Sequence, residues 1–499
     1  MHIITTPIPY TNGRPHLGHL LEGIFNDTIA RFYRRTTDGN VLLTMGLDQH
    51  GLKIYQSAKE AGIDTEIYVE QAGLTYIDLW EKYNVRYDAW VPTSSAEHKI
   101  VCGIFWKRLL HAGFIYKKSY EGLYNMFDEA FITEKDLDAN GDLPGRPGVK
   151  PVMLKEENYF FKLSAFQAKI EAYLSDVRVE PEEARTEMLN FTQEGLQDIS
   201  ISRDAAKMPW GVPVPGDDTQ VMYVWFDAVI NYATACVNLE TIERWKENTD
   251  LRPVIEEELF AEIQEAFPIK LTYIGKDIAK FHMIFFPAML MGVELPPPQA
   301  FLRHGMINGK DGRKFSKSLG NGVDPKEMEV LFGVEGTRFL ILHEINVLGD
   351  TNFDMAHCID SYNAHLANNI GNLLMRVTTL IEQNFGGEVH LEDARVLYDL
   401  SSVYTKLDAW DVRGALDEIL MAARTGNETL EKEQPWKMIK AGDDVGAKQI
   451  LTDLAFLLKQ IGEMLSIFLP ETGDSIYRTI TEETITKAKV LFVKVEPII

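Results

Sequence analysis

The sequence predicts an α/β protein: a parallel-sheet domain interrupted by an inserted domain and followed by an all-helical bundle. Three observations predict it. Over residues 1–116 short apolar strands alternate with amphipathic helices; over 117–218 that rhythm lapses; after about 357 only helical patterns remain. In order, IITTPI at 3–8 reads as a strand. A turn rich in Asn, Gly and Pro follows, then a helix from about Gly18 to Thr36, with Leu20, Ile24, Phe25, Thr28 and Phe32 at helical spacing. Asp38-Gly39 ends that helix, and VLLTMG at 41–46 is the next strand. This βαβ rhythm implies a parallel sheet whose ligands gather at the C-terminal ends of its strands. Residues 117–218 hold short β-like runs, a Gly/Pro loop and one clear helix near Ala165–Leu174, as an insertion between two halves of a sheet would. The α/β pattern resumes with VMYVWF at 221–226 and LTYIG at 271–275; residues 240–267 read as acidic, helical and peripheral. The helical runs at the C-terminal end form a bundle.

The bulk composition is that of a soluble globular chain, with 45% hydrophobic and 25% charged residues. No apolar run reaches the roughly 18 residues that a membrane span needs. MHIITTPIPY reads at once as a strand, so no leader is expected. The 3 cysteines, Cys102, Cys236 and Cys358, lie far apart, which fits a reducing, cytoplasmic compartment. A net charge of −24 argues against nucleic-acid binding over the whole surface. A sum leaves one face free to be basic, and the acidic clusters then serve solubility.

Two motifs carry chemistry. His16-Leu17-Gly18-His19 follows the first strand and opens a helix. Backbone N–H groups and the positive dipole end favour phosphate there, and Gly18 lets a nucleotide approach closely. Taken alone the string is better read as two surface histidines beside a turn; its position after strand one reverses that preference. Far downstream, Lys314-Phe315-Ser316-Lys317-Ser318 sits among glycines. Lysines on such a loop act as movable charges for a polyphosphate, though a basic surface turn has the same composition. Together the two resemble the HIGH and KMSKS signatures of class I aminoacyl-tRNA synthetases. Leu17 and Phe315 depart from the usual letters, yet no imidazole, lysine or hydroxyl is lost.

Further blocks narrow the resemblance. PIPYTNGRPHLGHL at 7–20, GLDQHGLKI at 46–54, EENYFFKLSAF at 156–166, YVWFDAVINY at 223–232 and IGKDIAKFHMIFFPAML at 274–290 are similar, in order, to segments of the methionyl-tRNA synthetase family. The resemblance implies a Rossmann-like catalytic domain in two halves, 1–116 and 219–300, split by a connective domain at 117–218. A stem-contact region carrying the lysine loop (301–357) and an anticodon-binding helical bundle (358–499) follow. It implies a ligase that activates methionine with ATP and Mg²⁺ and loads it onto tRNA(Met). Without an appended dimerising domain, a monomer is expected.

Carried over residue by residue, the methionine pocket is Ile8, Tyr10, Asp48, Trp225, Ala228, Val229, Tyr232, Ile278 and His282. Asp48 suits the substrate ammonium, the aromatics suit a polarizable thioether, and His282 would set a ring nitrogen near the sulfur. Family members often carry Pro where Val229 stands. For Trp225 and Ile278 plain core packing is the alternative; for Asp48 it is a strand-end cap. The resemblance further gives His16, His19, Lys314 and Lys317 as catalytic. It puts Asn12, Gly13, Gly18, Lys276, Asp277, His304, Gly305 and Ile307 around ATP, with Arg203 near the pyrophosphate path. For Lys276 and Asp277 a surface ion pair is the alternative. In the bundle Asn372 and Arg376 share a helix face, and Trp436 follows Pro435 in a loop; these three would read the CAU anticodon. Many family members carry zinc knuckles in the insertion. Residues 117–218 contain no cysteine, so no structural zinc is expected.

Competing readings are weaker. Synthetases for isoleucine, valine or leucine need room for a large editing insertion between the two motifs. The cysteine enzyme needs zinc-binding cysteines. A non-catalytic relative need not keep His16, His19, Lys314 and Lys317 together. A P-loop enzyme would need GxxxxGK[ST], which is missing.

Overall fold

The computed structural model describes residues 1–125, 130–132, 134–143, 146, 148–310, 312–313 and 323–496. Lys314 and Lys317 lie outside the described residues. The chain forms two compact units, one of Met1–Pro15, Val41–Asp78 and Tyr87–His304, the other of His16–Asn40, Leu79–Arg86 and Gly305–Ile499.

The first unit is built on a 6-stranded sheet with the order Ala89–Pro92, Val41–Leu47, His2–Thr5, Leu271–Gly275, Ala300–His304, Arg178–Glu180. Every pairing in it is parallel. Ile3, Ile4, Leu43, Ile274 and Phe301 are fully buried, as expected where both faces of a parallel sheet are covered. Strand order reverses between His2–Thr5 and Leu271–Gly275, the switch point beside which ligands of such sheets bind. The segments leaving those two strand ends carry Ile8 and Tyr10, and Lys276 to Ile278. Gly46 is required by close packing: a Cβ there would lie 2.1 Å from the Val91 carbonyl oxygen.

Within residues 117–218 the short runs form a 4-stranded sheet, with Ile115–Asn125 antiparallel to Val152–Phe161. Arg178–Glu180, from the same span, instead joins the edge of the parallel sheet. Two readings need correction. VMYVWF is not a strand of the parallel sheet: Asp217–Met222 pairs antiparallel with Ser202–Asp204, and Val224–Ala228 is a short helix. An apolar run of this length suits a buried helix as well as a strand. Residues 240–267 are helical, as Leu239–Glu247 and Arg252–Ala266, but not peripheral. Ile242, Ile255, Leu259, Phe260 and Ile263 enter the unit's core. At its margin Glu256 pairs with Lys107 at 2.8 Å.

In the second unit, helix Leu17–Thr36 begins one residue before the expected Gly18. Gly23 abuts Trp80, whose ring would lie 2.4 Å from any Cβ. Asp27, fully buried, accepts from Arg31 Nε at 2.8 Å, Arg338 Nη2 at 2.7 Å and the Arg86 N–H at 3.0 Å. Arg338, on helix Pro325–Glu344, also donates to the carbonyls of Phe468 (2.9 Å) and Tyr83 (2.8 Å). The bundle contains Asn372–Phe385, Val412–Glu433, Asp444–Leu465 and Pro470–Thr481, with Leu373, Val377, Leu416, Ile419, Leu454 and Leu458 buried between them. At Gly426 the helices come so close that a Cβ would lie 2.6 Å from Leu373 Cδ2. Trp436 is in the first turn of helix Pro435–Lys440 rather than in a loop. Pro435 is the first helical residue, where its missing N–H costs nothing. Among the described residues no helix is long and apolar enough to cross a membrane.

Candidate functional site

At the N-terminus of helix Leu17–Thr36 the two histidines cap the helix reciprocally. The Gly18 N–H donates to His16 Nδ1 at 3.2 Å, and the His16 N–H donates to His19 Nδ1 at 3.3 Å. The rings stack at 3.7 Å with 17° between planes. A nitrogen that accepts carries no proton, so each neutral ring holds its proton on Nε2 and is a donor there. Burial, with the neighbouring His16 imidazole as a smaller cause, holds the His19 pKa well below its usual value. No acidic residue stands in the first turn. An anion at this terminus would meet imidazole N–H donors and the helix dipole. Gly18 serves the cap itself: a Cβ would lie 3.0 Å from His16 Cε1.

In the first unit Tyr10 and Asp48 form an isolated parallel bridge, with the Asp48 N–H donating to the Pro9 carbonyl at 2.9 Å. This places the buried Asp48 carboxylate just past a strand end. Trp225 lies flat on Phe281 (4.0 Å, 2°) and edge-on to His282 (6.1 Å, 87°). Ala228, Val229, Tyr232 and His282 are buried. The Ile278 carbonyl only accepts, so His282 Nδ1 carries the proton at 3.0 Å from it, and Nε2 accepts the Tyr232 hydroxyl at 2.8 Å. Burial holds the His282 pKa down to about 4, so the ring is neutral. Both ring nitrogens are thus engaged within the protein. That arrangement does not favour the nitrogen-to-sulfur role.

Several residues have local work of their own. Asn12 closes a turn onto the Tyr10 carbonyl at 2.9 Å; Gly13 is exposed, with open space around it. Lys276 and Asp277 are exposed beyond the strand end, and Gly275 leaves room for Asp277, whose Oδ1 would lie 2.9 Å from a Cβ. His304 stacks on Tyr273 at 5.0 Å. In the second unit Gly305 passes the Gly349 backbone, which would lie 2.2 Å from a Cβ, and Ile307 pairs with Thr351. Arg203 is buried. It donates to the Ser202 carbonyl at 2.7 Å and lies 4.4 Å from the centre of the Tyr223 ring.

A buried polar network escaped sequence reasoning. His50 Nδ1 is 3.2 Å from Asp227 Oδ2. His98 reaches Thr234 Oγ1 at 3.0 Å and Cys102 Sγ at 3.2 Å, with Asp227 Oδ1 3.9 Å away. Burial holds both imidazoles down to about 3 and pushes the Asp227 carboxyl well up, so the cluster is neutral. His50 stands two residues after Asp48, and Asp227 two after Trp225. The network therefore ties the carboxylate-bearing turn to the Trp225 helix. Both residues lie inside the resembling blocks, so those blocks displayed them without giving them a role. Among the described residues no group of three or more His, Cys, Asp or Glu could hold a metal ion.

In the second unit Asn372 and Arg376 line a cavity of about 320 Å³, together with Arg424 and Asn427. Arg376 Nη1 pairs with Glu431 at 2.6 Å, and its guanidinium lies 5.3 Å from the Trp436 ring centre. Asn372 and Arg376 thus line one cavity, and Trp436 lies beside Arg376.

Comparisons with known proteins bear on the family and the fold. The sequence matches the family described as tRNA synthetases class I (M) over residues 2–143 and 146–378. It matches the Anticodon binding domain of methionyl tRNA ligase over 386–491. It is 33% identical to a methionine–tRNA ligase of Rickettsia bellii (strain RML369-C), covering 97% of this chain and 94% of that protein. It is also 33% identical to one from Synechocystis sp. (strain ATCC 27184 / PCC 6803 / Kazusa), over 95% and 88%. Mycobacterium tuberculosis methionyl-tRNA synthetase in complex with methionyl-adenylate superposes with a TM-score of 0.85 at 30% identity, over 100% of this chain and 98% of that one. The chain belongs to the methionyl class I tRNA synthetases, the methionine–tRNA ligases.

Proposed function

We propose that this methionine–tRNA ligase makes methionyl-adenylate from methionine and MgATP and passes the methionyl group to the terminal adenosine of tRNA(Met). Asp48 holds the substrate ammonium, while Trp225, Tyr232, Ala228, Val229 and His282 enclose the thioether. Ile8, Tyr10 and Ile278 complete that slot. The methionine carboxylate oxygen attacks the α-phosphorus, the bond to the β-phosphate bridge oxygen breaks, and pyrophosphate leaves. His16 and His19 donate to the phosphate oxygens as charge develops; Lys314 and Lys317 neutralise the outer phosphates. Asn12, Gly13, Gly18, Lys276, Asp277, His304, Gly305 and Ile307 flank the nucleotide. A ribose hydroxyl of the tRNA then attacks the adenylate carbonyl and AMP departs. Asn372, Arg376 and Trp436 read the anticodon.

The observation that carries this reading is the reciprocal imidazole cap, which fixes both Nε2 atoms as donors at a helix terminus free of first-turn acid. The halves 1–116 and 219–300 are assigned to catalysis, 117–218 to a zinc-free connective insertion, 301–357 to stem contact and 358–499 to the anticodon. A monomer in the cytoplasm completes the reading. ATP–pyrophosphate exchange tested against twenty amino acids should respond to methionine, and faster exchange with another would overturn the assignment. Replacing His19 by Ala should slow exchange about 10²–10³-fold and leave methionine binding unchanged. One equivalent of zinc per chain by atomic spectroscopy would refute the zinc-free insertion.

A further inference from the structure

The anticodon cavity contains a row of three side-chain amides whose polarity is fixed from behind. Asn369 Nδ2 donates to the Leu420 carbonyl at 2.9 Å. A carbonyl only accepts, so the amino end of Asn369 faces Leu420 and its Oδ1 faces the other way. That Oδ1 accepts from Asn427 Nδ2 at 3.1 Å, and the same nitrogen lies 3.1 Å from the carbonyls of Ala423 and Asn369. With its amino end among three acceptors, Asn427 must turn Oδ1 toward Asn372, whose Nδ2 donates to it at 3.1 Å. The backbone carbonyls thus decide, two residues removed, which end of Asn372 is engaged. Its Oδ1, an acceptor, is what it offers to a base. Leu420, Ala423 and Asn427 share one face of helix Val412–Glu433. Asn369 and Asn372 straddle the junction between the π-helical turn Asn363–Gly371 and helix Asn372–Phe385.

We propose that Asn427 is a positioning residue for base selection. Through the amide relay it holds Asn372 with Oδ1 as acceptor, beside the donor Arg376. This rests on the reading that the cavity takes an anticodon base. An acceptor next to a donor matches a pairing edge that carries an amino group beside a ring-nitrogen acceptor, as in cytosine and adenine. Uracil presents a carbonyl where the amino group should be and leaves both acceptors unmatched. Without Asn427 nothing fixes the Asn372 amide, which is then free to rotate and offer its amino end to uracil.

The test compares kcat/KM for methionylation of tRNA transcripts with CAU and UAU anticodons, alongside tRNA-independent ATP–pyrophosphate exchange. Asn427→Ala is expected to cut the CAU/UAU preference about tenfold, with exchange unchanged. The double variant Asn372→Ala/Asn427→Ala should discriminate no worse than Asn372→Ala alone, because Asn427 acts only through Asn372. Full preference retained in Asn427→Ala, or additive losses in the double variant, would overturn the proposal. Normal CAU charging by Asn372→Ala with Arg376→Ala would instead overturn the anticodon reading itself. If Asn427→Ala also lost exchange, Asn369→Ala takes its place: it removes the Oδ1 that orients Asn427 and should relax the preference in the same sense. Preference retained there counts against the relay.

Discussion

Among the described residues, one unit buries the Asp27 carboxylate completely and the other buries Asp227, and the two are neutralised in opposite ways. Asp27 faces the guanidinium groups of Arg31 and Arg338, cations that do not give up their protons. Asp227 faces the imidazoles of His50 and His98, and burial raises its carboxyl while lowering theirs. One unit fixes charge against charge; the other removes charge altogether. A buried ion pair is costly to break from one side only, whereas a neutral cluster tolerates exchange of its members but answers to pH.

The largest effect should come from Arg338→Met, which leaves Asp27 buried without its main partner. Urea unfolding is expected to show a loss of about 3–5 kcal/mol. Arg338→Met combined with Asp27→Asn should recover part of it, and a double variant as unstable as the single one would break the charge account.

Next comes pH. In the native chain His50 and His98 are held to about 3 and His282 to about 4, while unfolded imidazoles titrate near about 6.5. These lowered values give stability that is complete above about pH 6.5 and lost as pH falls toward 4 and then 3. Asp227 runs the other way, since its raised carboxyl keeps a proton that the unfolded chain releases above about pH 4. At pH 5.5 the three imidazoles should take up close to three protons on unfolding, and the raised Asp227 carboxyl offsets part of that uptake. Calorimetry in buffers of different ionisation enthalpy reads this uptake. In Asp227→Asn it should rise, because the amide has no proton to release. An unchanged value would mean that Asp227 is ionised in the folded chain.

The smallest effect is on stability in that same variant. An amide replacing a neutral carboxyl should cost about 1 kcal/mol. If Asp227→Asn cost as much as Arg338→Met, the contrast between the two units would collapse.

How far the sequence foretold these features follows from the range of the interactions. The helix after HLGH was legible almost to the residue, because a turn, a cap and 3.6-residue periodicity are all local. VMYVWF was not, since an apolar run fits a strand and a buried helix alike. The acidic segment 240–267 hid its buried apolar residues under its composition, and Trp436, read into a loop after Pro435, lies in a helix that this proline begins. The methionine pocket was named from resembling blocks, but the tautomer of His282 needed the Ile278 carbonyl and Tyr232 in place. His50 and Asp227 are 177 residues apart, and Asn372 and Asn427 are 55 apart. No local pattern announces such partners.

Gly426 lets two bundle helices cross closely. A Cβ there would lie 2.6 Å from Leu373 Cδ2 and 3.2 Å from Leu457 Cδ2, so both leucines would have to give way for the crossing to keep its distance. A gap of even an ångström would carry Asn372 and Asn427 beyond hydrogen-bond reach. On the proposed anticodon reading, the amide contact that orients Asn372 would then depend on how closely these two helices cross at Gly426.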